Sequence, residues 1–147
     1  MALNNYRRVV ALTPWNYHYR YRYALTLMRA ARRARNNEAL RRRYYRESER
    51  ILRRLELEYP KRYQVSLLLG DLAFRQFNFD RAAGYYRKAI RQYPLNYKLH
   101  YRLAKTEKLR GRFREARAAY NAGCQVNRGA MIKLEASESF SILPQQL

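Results

Sequence analysis

Acidic residues are scarce in this chain, with 11 Asp and Glu against 32 Lys and Arg, a formal net charge of +21 over 147 residues. No fold requires such an excess. Copies of the chain repel one another, and the imbalance implies an anionic counterpart: nucleic acid, an acidic protein or an anionic lipid surface. Cysteine is scarcer still. Cys124 stands alone, which excludes an internal disulfide, and it is expected as a small buried thiol on the inward face of a helix. The two histidines, His18 and His100, have no second ligand-type residue at i+3 or i+4 and no cysteine at ligand spacing, so no metal site is expected. Long apolar runs are missing as well. The best, Val65 to Phe74, is broken by Ser66, Gly70 and Asp71 and is too short to span a membrane. No Gly-rich phosphate loop, nucleophile elbow or segregated pair of carboxylates is present. The chain is expected not to be an enzyme and to need no cofactor.

What is present is a helical pattern with a repeat. The length suits one domain with a core. In QVSLLLGDLAFRQF, Leu69, Gly70 and Ala73 share one helical stripe, and in DRAAGYYRKAIRQYP, Ala82, Tyr86, Ala89 and Ile90 share another. Asn78 and Asp80 mark a turn between them. Gly70 and Ala82 allow two antiparallel helices to approach closely, and Pro94 stops the second helix. Ala104, Ala116 and Tyr120 follow Gly70, Ala82 and Tyr86 at one constant interval, with Gly111 and Phe113 at the turn. Gly123 replaces Ala89, and Arg128 stands where a proline would be.

These landmarks over residues 63 to 128 resemble the tetratricopeptide repeat (TPR), whose unit is about 34 residues. The resemblance implies an all-α, TPR-like solenoid of antiparallel helix pairs. Tyr6 and Pro14 repeat the spacing of Tyr86 and Pro94, so residues 1–13 read as the end of an earlier repeat. PWNY (Pro14 to Tyr17), PKRY (Pro60 to Tyr63) and PLNY (Pro94 to Tyr97) begin three units, approximately 15–60, 61–94 and 95–128, in a repeat domain spanning 1–128. The first unit is enlarged by about three helical turns. Its helices are expected from Trp15 to about Arg35 and from about Glu38 to Glu58, with Asn36 and Asn37 between them. Arg7, Arg8, Arg20, Arg22, Arg29, Arg32, Arg33 and Arg35, with no acid among the first 35 residues, resemble a mitochondrial presequence in composition. The repeat argues against a removable leader there, and cytoplasm and mitochondrion both stay open. Residues 129–147 change composition. Met131, Ile132, Leu134, Phe140, Ile142 and Leu143 can cap the last repeat, or form a tail that docks on a neighbouring subunit, with Pro144 near the end.

In TPR proteins the first helix of each repeat lines the concave face. The resemblance assigns to a partner-binding groove His18, Tyr21, Arg22, Leu25 and Met28, then Gln64, Leu67, Leu68, Asp71 and Phe74, then Lys98, Tyr101, Arg102, Lys105 and Lys108. Lys98 and Arg102 match the last pair of the dicarboxylate clamp of some TPR co-chaperones. Tyr21, Leu25 and Leu68 stand where that clamp needs Lys, Asn and Asn, so an acidic or extended peptide fits better than a chaperone tail. A second surface is basic and aromatic. YHYRYRY (Tyr17 to Tyr23) and RRRYYR (Arg41 to Arg46) offer guanidinium groups and stacking faces, which suits a polyanion such as RNA, with Arg20, Arg41, Arg42, Arg43 and Arg46 as its cations. The expected function is that of a protein-interaction scaffold, a basic subunit of a larger assembly. An RNA-contacting component of a ribonucleoprotein such as an organellar ribosome is the alternative, and a membrane-surface adaptor a third reading.

Overall fold

The computed structural model of the protein describes residues 2–138. They form seven helices and, among the described residues, no strand: α1 (Ala2–Leu12), α2 (Tyr17–Arg33), α3 (Glu38–Glu58), α4 (Tyr63–Arg75), α5 (Phe79–Gln92), α6 (Tyr97–Leu109) and α7 (Phe113–Glu138). The long first pair is present, α2 with 17 and α3 with 21 residues against 13 in α4 and 14 in α5. Asparagine starts most of these helices. The side chains of Asn16, Asn37, Asn78 and Asn96 accept the backbone N–H groups of Tyr19, Leu40, Arg81 and Lys98, supplying one of the partners that a helix start leaves open. Among the described residues no helix is long and apolar enough to cross a membrane.

The helices divide into two compact units, one ending at Leu72 and one beginning at Ala73. In the first, α2 packs against α1 and α3. Tyr23, Ala24, Leu27, Met28 and Ala31 of α2 are buried, as are Leu52 and Leu55 of α3 and Val65, Leu68, Leu69 and Leu72 of α4. Two small residues let α2 and α3 close on each other, because Ser48 Oγ donates to the carbonyl of Ala24 at 3.1 Å. Polar clasps fasten the edges. Tyr23 Oη donates to Glu47 while accepting from Arg7 Nε of α1 at 3.3 Å. Arg20 reaches across to the carboxylate of Glu58 with both terminal guanidinium nitrogens, Nη1 at 3.2 Å.

In the second unit α6 packs against both α5 and α7. Its core gathers Tyr101 and Ala104 of α6 with Ala116, Ala119, Tyr120 and Met131 of α7. Glu107 is the unusual member. It is fully buried, yet its carboxylate is paired with Arg87 of α5 and with Arg110, whose Nε also reaches Asp80 at 2.8 Å. A buried charge persists only when paired and hydrogen-bonded, so this chain of ions fixes how α5 sits on α6.

The last helix is bent. Asn127 leaves helical geometry (φ −159°, ψ 92°), and its side chain accepts the N–H of Ala130 at 3.0 Å, capping a new start. Helix then continues to Glu138, so the part of the expected cap or tail that follows Arg128 is helical this far. Met131 turns back onto α7, and a Cβ at Gly123 would lie 2.6 Å from its Cε, which explains why glycine replaces alanine at that repeat position. Leu134 packs on the same cluster and Ile132 stays exposed. Phe140, Ile142, Leu143 and Pro144 lie outside the described residues.

Candidate functional site

The positions assigned to a groove differ in what they present. In the first unit, Tyr21 is half-buried and stacked on Tyr17 at 5.8 Å, and Tyr17 in turn meets the edge of Tyr59 at 4.9 Å and carries the Arg62 guanidinium 4.6 Å above its ring. Burial, first of all, raises the pKa of the Tyr17 phenol. His18 and Arg22 pair with each other across one turn, with 3.5 Å between Nε2 and Nε. Leu25, Gln64, Leu67 and Asp71 are half-buried, whereas Met28 and Leu68 belong to the core.

In the second unit the face of α6 is already occupied by the chain's own last turns. Tyr101 is buried, and its hydroxyl donates to Glu138 at 3.2 Å. Lys105 Nζ reaches the same carboxylate oxygen at 2.6 Å and lies 5.7 Å from the centre of the Phe74 ring. Tyr120 Oη donates to Glu135 at 2.7 Å. Burial and these carboxylates push the Tyr101 and Tyr120 phenols well above the ordinary tyrosine range. Phe74 and Arg102 are half-buried, Lys98 is exposed and Lys108 is partly so. Sequence reasoning placed Tyr101 and Lys105 on this face. It missed Glu135 and Glu138, although two carboxylates spaced i, i+3 in a chain so poor in acids were a readable signal.

The expected polyanion surface splits. Arg42, Arg43 and Arg46 are exposed on α3 and Arg41 is partly exposed, while Arg20 is buried against Glu58 and faces no solvent partner. Its burial is tolerated because Glu58 accepts from two of its nitrogens, and that hydrogen bonding raises the guanidinium pKa against the opposing effect of burial. His100 is also internal, with Nε2 2.7 Å from the carbonyl of Pro94. Among the described residues no three His, Cys, Asp or Glu side chains converge on one point.

Helix pairs joined by short capped turns, with small residues at the crossings, are what a repeat family would leave, and the family model described as tetratricopeptide repeat matches residues 33–97 and again 67–126. The chain belongs to the tetratricopeptide repeat family. No curated protein sequence matches it. Among solved structures it is similar to TTC0263, a thermophilic TPR protein of Thermus thermophilus, at 20% identity and a TM-score of 0.81, covering 92% of this chain and 70% of that one. It is also similar to MamA AMB-1, at 19% identity and a TM-score of 0.67 over 85% of this chain, and to MamA MSR-1, at 18% identity and a TM-score of 0.68 over 88%. The chain spans 66% of MamA AMB-1 and 70% of MamA MSR-1. At these identities the likeness is one of fold, and the TPR fold is that of protein–protein interaction scaffolds.

Proposed function

We propose that this TPR protein is a non-catalytic scaffold and a basic subunit of a larger assembly, and that the α6 face of its second unit grips an acidic segment of a protein partner in place of its own Glu138. The supporting observation is the company that face keeps: its phenol and ammonium groups, Tyr101 and Lys105, both hold the carboxylate of Glu138. A face that takes up carboxylates from its own chain has the chemistry to take them from another, and Lys98, Arg102 and Lys108 extend the cationic strip along the same helix. In the first unit, Tyr21, Arg22, Gln64, Leu67 and Asp71 offer separate positions of mixed aromatic, apolar, amide and charged character for a protein contact.

The test is recovery of partners with the tagged full-length chain, before and after charge reversal at Lys98→Glu, Arg102→Glu and Lys108→Glu. Partner recovery is expected to fall at least tenfold while the helical circular dichroism signal and its melting are kept. Unchanged recovery from a folded variant removes α6 from the reading.

A further inference from the structure

One surface goes beyond the scaffold reading and does not depend on it. Where α2 ends and α3 begins, the chain uses arginine and no lysine between Arg29 and Arg46, with Glu38 as its one acid, and that acid is taken by Arg42. Arg29, Arg32 and Arg33 on α2, and Arg43 and Arg46 on α3, are exposed and have no carboxylate partner among the described residues. Helix stability accounts for only part of this. Arg32 and Arg33 suit the negative end of α2, but Arg41, Arg42 and Arg43 crowd the positive end of α3, where the helix dipole favours acids. Arg29 with Arg33 and Arg42 with Arg46 are like charges at i, i+4, which oppose the helices that carry them. The charge at this end is therefore held at a cost to the fold, and a bound anion would offset that cost.

We propose that the α2–α3 end of the first unit is a nucleic-acid backbone site, in which these guanidinium groups engage successive phosphodiesters. The planar fork of arginine grips two phosphate oxygens at once, which the lysine point charge does not. Arg43 and Arg46 are separated by about 4.5 Å along the helix, near enough to the roughly 3.4 Å rise per phosphate of one strand for the two to meet neighbouring phosphodiesters. A lipid surface fits less well, because none of the large exposed apolar side chains lies between Arg29 and Arg46 to enter a bilayer.

The experiment is fluorescence anisotropy of the full chain with a labelled single-stranded RNA of about 20 nucleotides and with a duplex DNA of the same length, from about 50 to 300 mM KCl. With about five phosphates engaged, affinity for the single strand should fall about a hundredfold between about 50 and 200 mM. The triple variant Arg33→Gln, Arg43→Gln, Arg46→Gln should lower the slope of log affinity against log salt by about 2, at about 0.7 per phosphate lost. The corresponding lysine variants should keep the slope and bind several-fold more weakly. Arg112→Gln, Arg114→Gln and Arg117→Gln remove the same charge from exposed positions of the second unit and should leave the slope in place. Equal losses in both glutamine triples would overturn the site and leave net charge alone. Binding of polyglutamate as tightly as nucleic acid, or flotation with phosphatidylserine vesicles abolished by Arg33→Gln, Arg43→Gln, Arg46→Gln, would overturn it in favour of an acidic protein or a membrane.

Discussion

Phe77 holds a φ of 59°, a left-handed conformation in which its ring, 81% exposed, gains little in return. The position is forced by the turn. The N–H of Asn78 bonds the carbonyl of Ala73 and that of Phe77 bonds Phe74, and the same pair of bonds recurs one repeat later, where Gly111 takes the strained place at φ 75°. Since a left-handed non-glycine residue costs about 1–2 kcal/mol, Phe77→Gly should stabilise the chain by about 1 kcal/mol in urea titration, after glycine's larger unfolded-state entropy is set against the relief. At this scale the sequence was half legible: the turn around Asn78 could be read, but not which residue would carry the strain, because the glycine of the later turn has no counterpart here. Glu107 was not legible at all. Its pairing with Arg87 and Arg110 follows from how α5 meets α6, and nothing in the local sequence marks one glutamate as internal.

The tyrosines give a prediction with a sign. Burial, aided by Glu138 and Glu135, raises Tyr101 and Tyr120 above their unfolded value of about 10. A raised folded-state pKa means that the associated stability is fully present below pH of about 10 and is lost as pH climbs toward the folded value. The melting temperature should therefore drop on the alkaline side, and Tyr101→Phe with Tyr120→Phe should flatten that drop. Glu58 works in the opposite window: its hydrogen bond from Arg20 lowers its pKa, so its contribution holds above the ordinary glutamate range and fades as pH falls through the folded value.

At the scale of the helix, the prolines explain what could be foreseen. Pro14, Pro60 and Pro94 follow α1, α3 and α5, and all three boundaries were readable from the sequence, as was the lengthened α2–α3 pair. Within α7 no proline stands, Arg128 takes the place, and the connection shrinks to the single non-helical residue Asn127. For that reason the turns beyond it were expected as a cap or a tail, and their helical state was not read. Arg128→Pro should hold the bend, since proline suits the first helical position after an asparagine cap and limits the unfolded chain, with a gain of about 0.5–1 kcal/mol. Asn127→Ala should cost about 1 kcal/mol through the lost cap and make residues 128–138 a preferred site of limited proteolysis. Equal resistance of the two variants to protease would mean that the asparagine cap does not hold the bend.

For the molecule as a whole, a net charge of +21 acts against any compact state. Ion pairs such as Arg20 with Glu58 and Arg87 with Glu107 use up several of the few acids, so most cations are balanced only by solvent ions. Thermal stability should rise from about 20 to 500 mM NaCl and rise further at equal ionic strength with a polyvalent anion such as tripolyphosphate. A melting temperature indifferent to both would mean that repulsion is not a significant load on the fold.

The choice of guanidinium over ammonium or imidazole at the α2–α3 end carries one more consequence. A guanidinium is, as a chemical group, a permanent cation, whereas an imidazole is not. Acidification or alkalinisation within living limits would not loosen a phosphodiester backbone held there. Its release would have to come from competing ions, from a rival polymer, or from methylation, which spares the charge but blocks the fork.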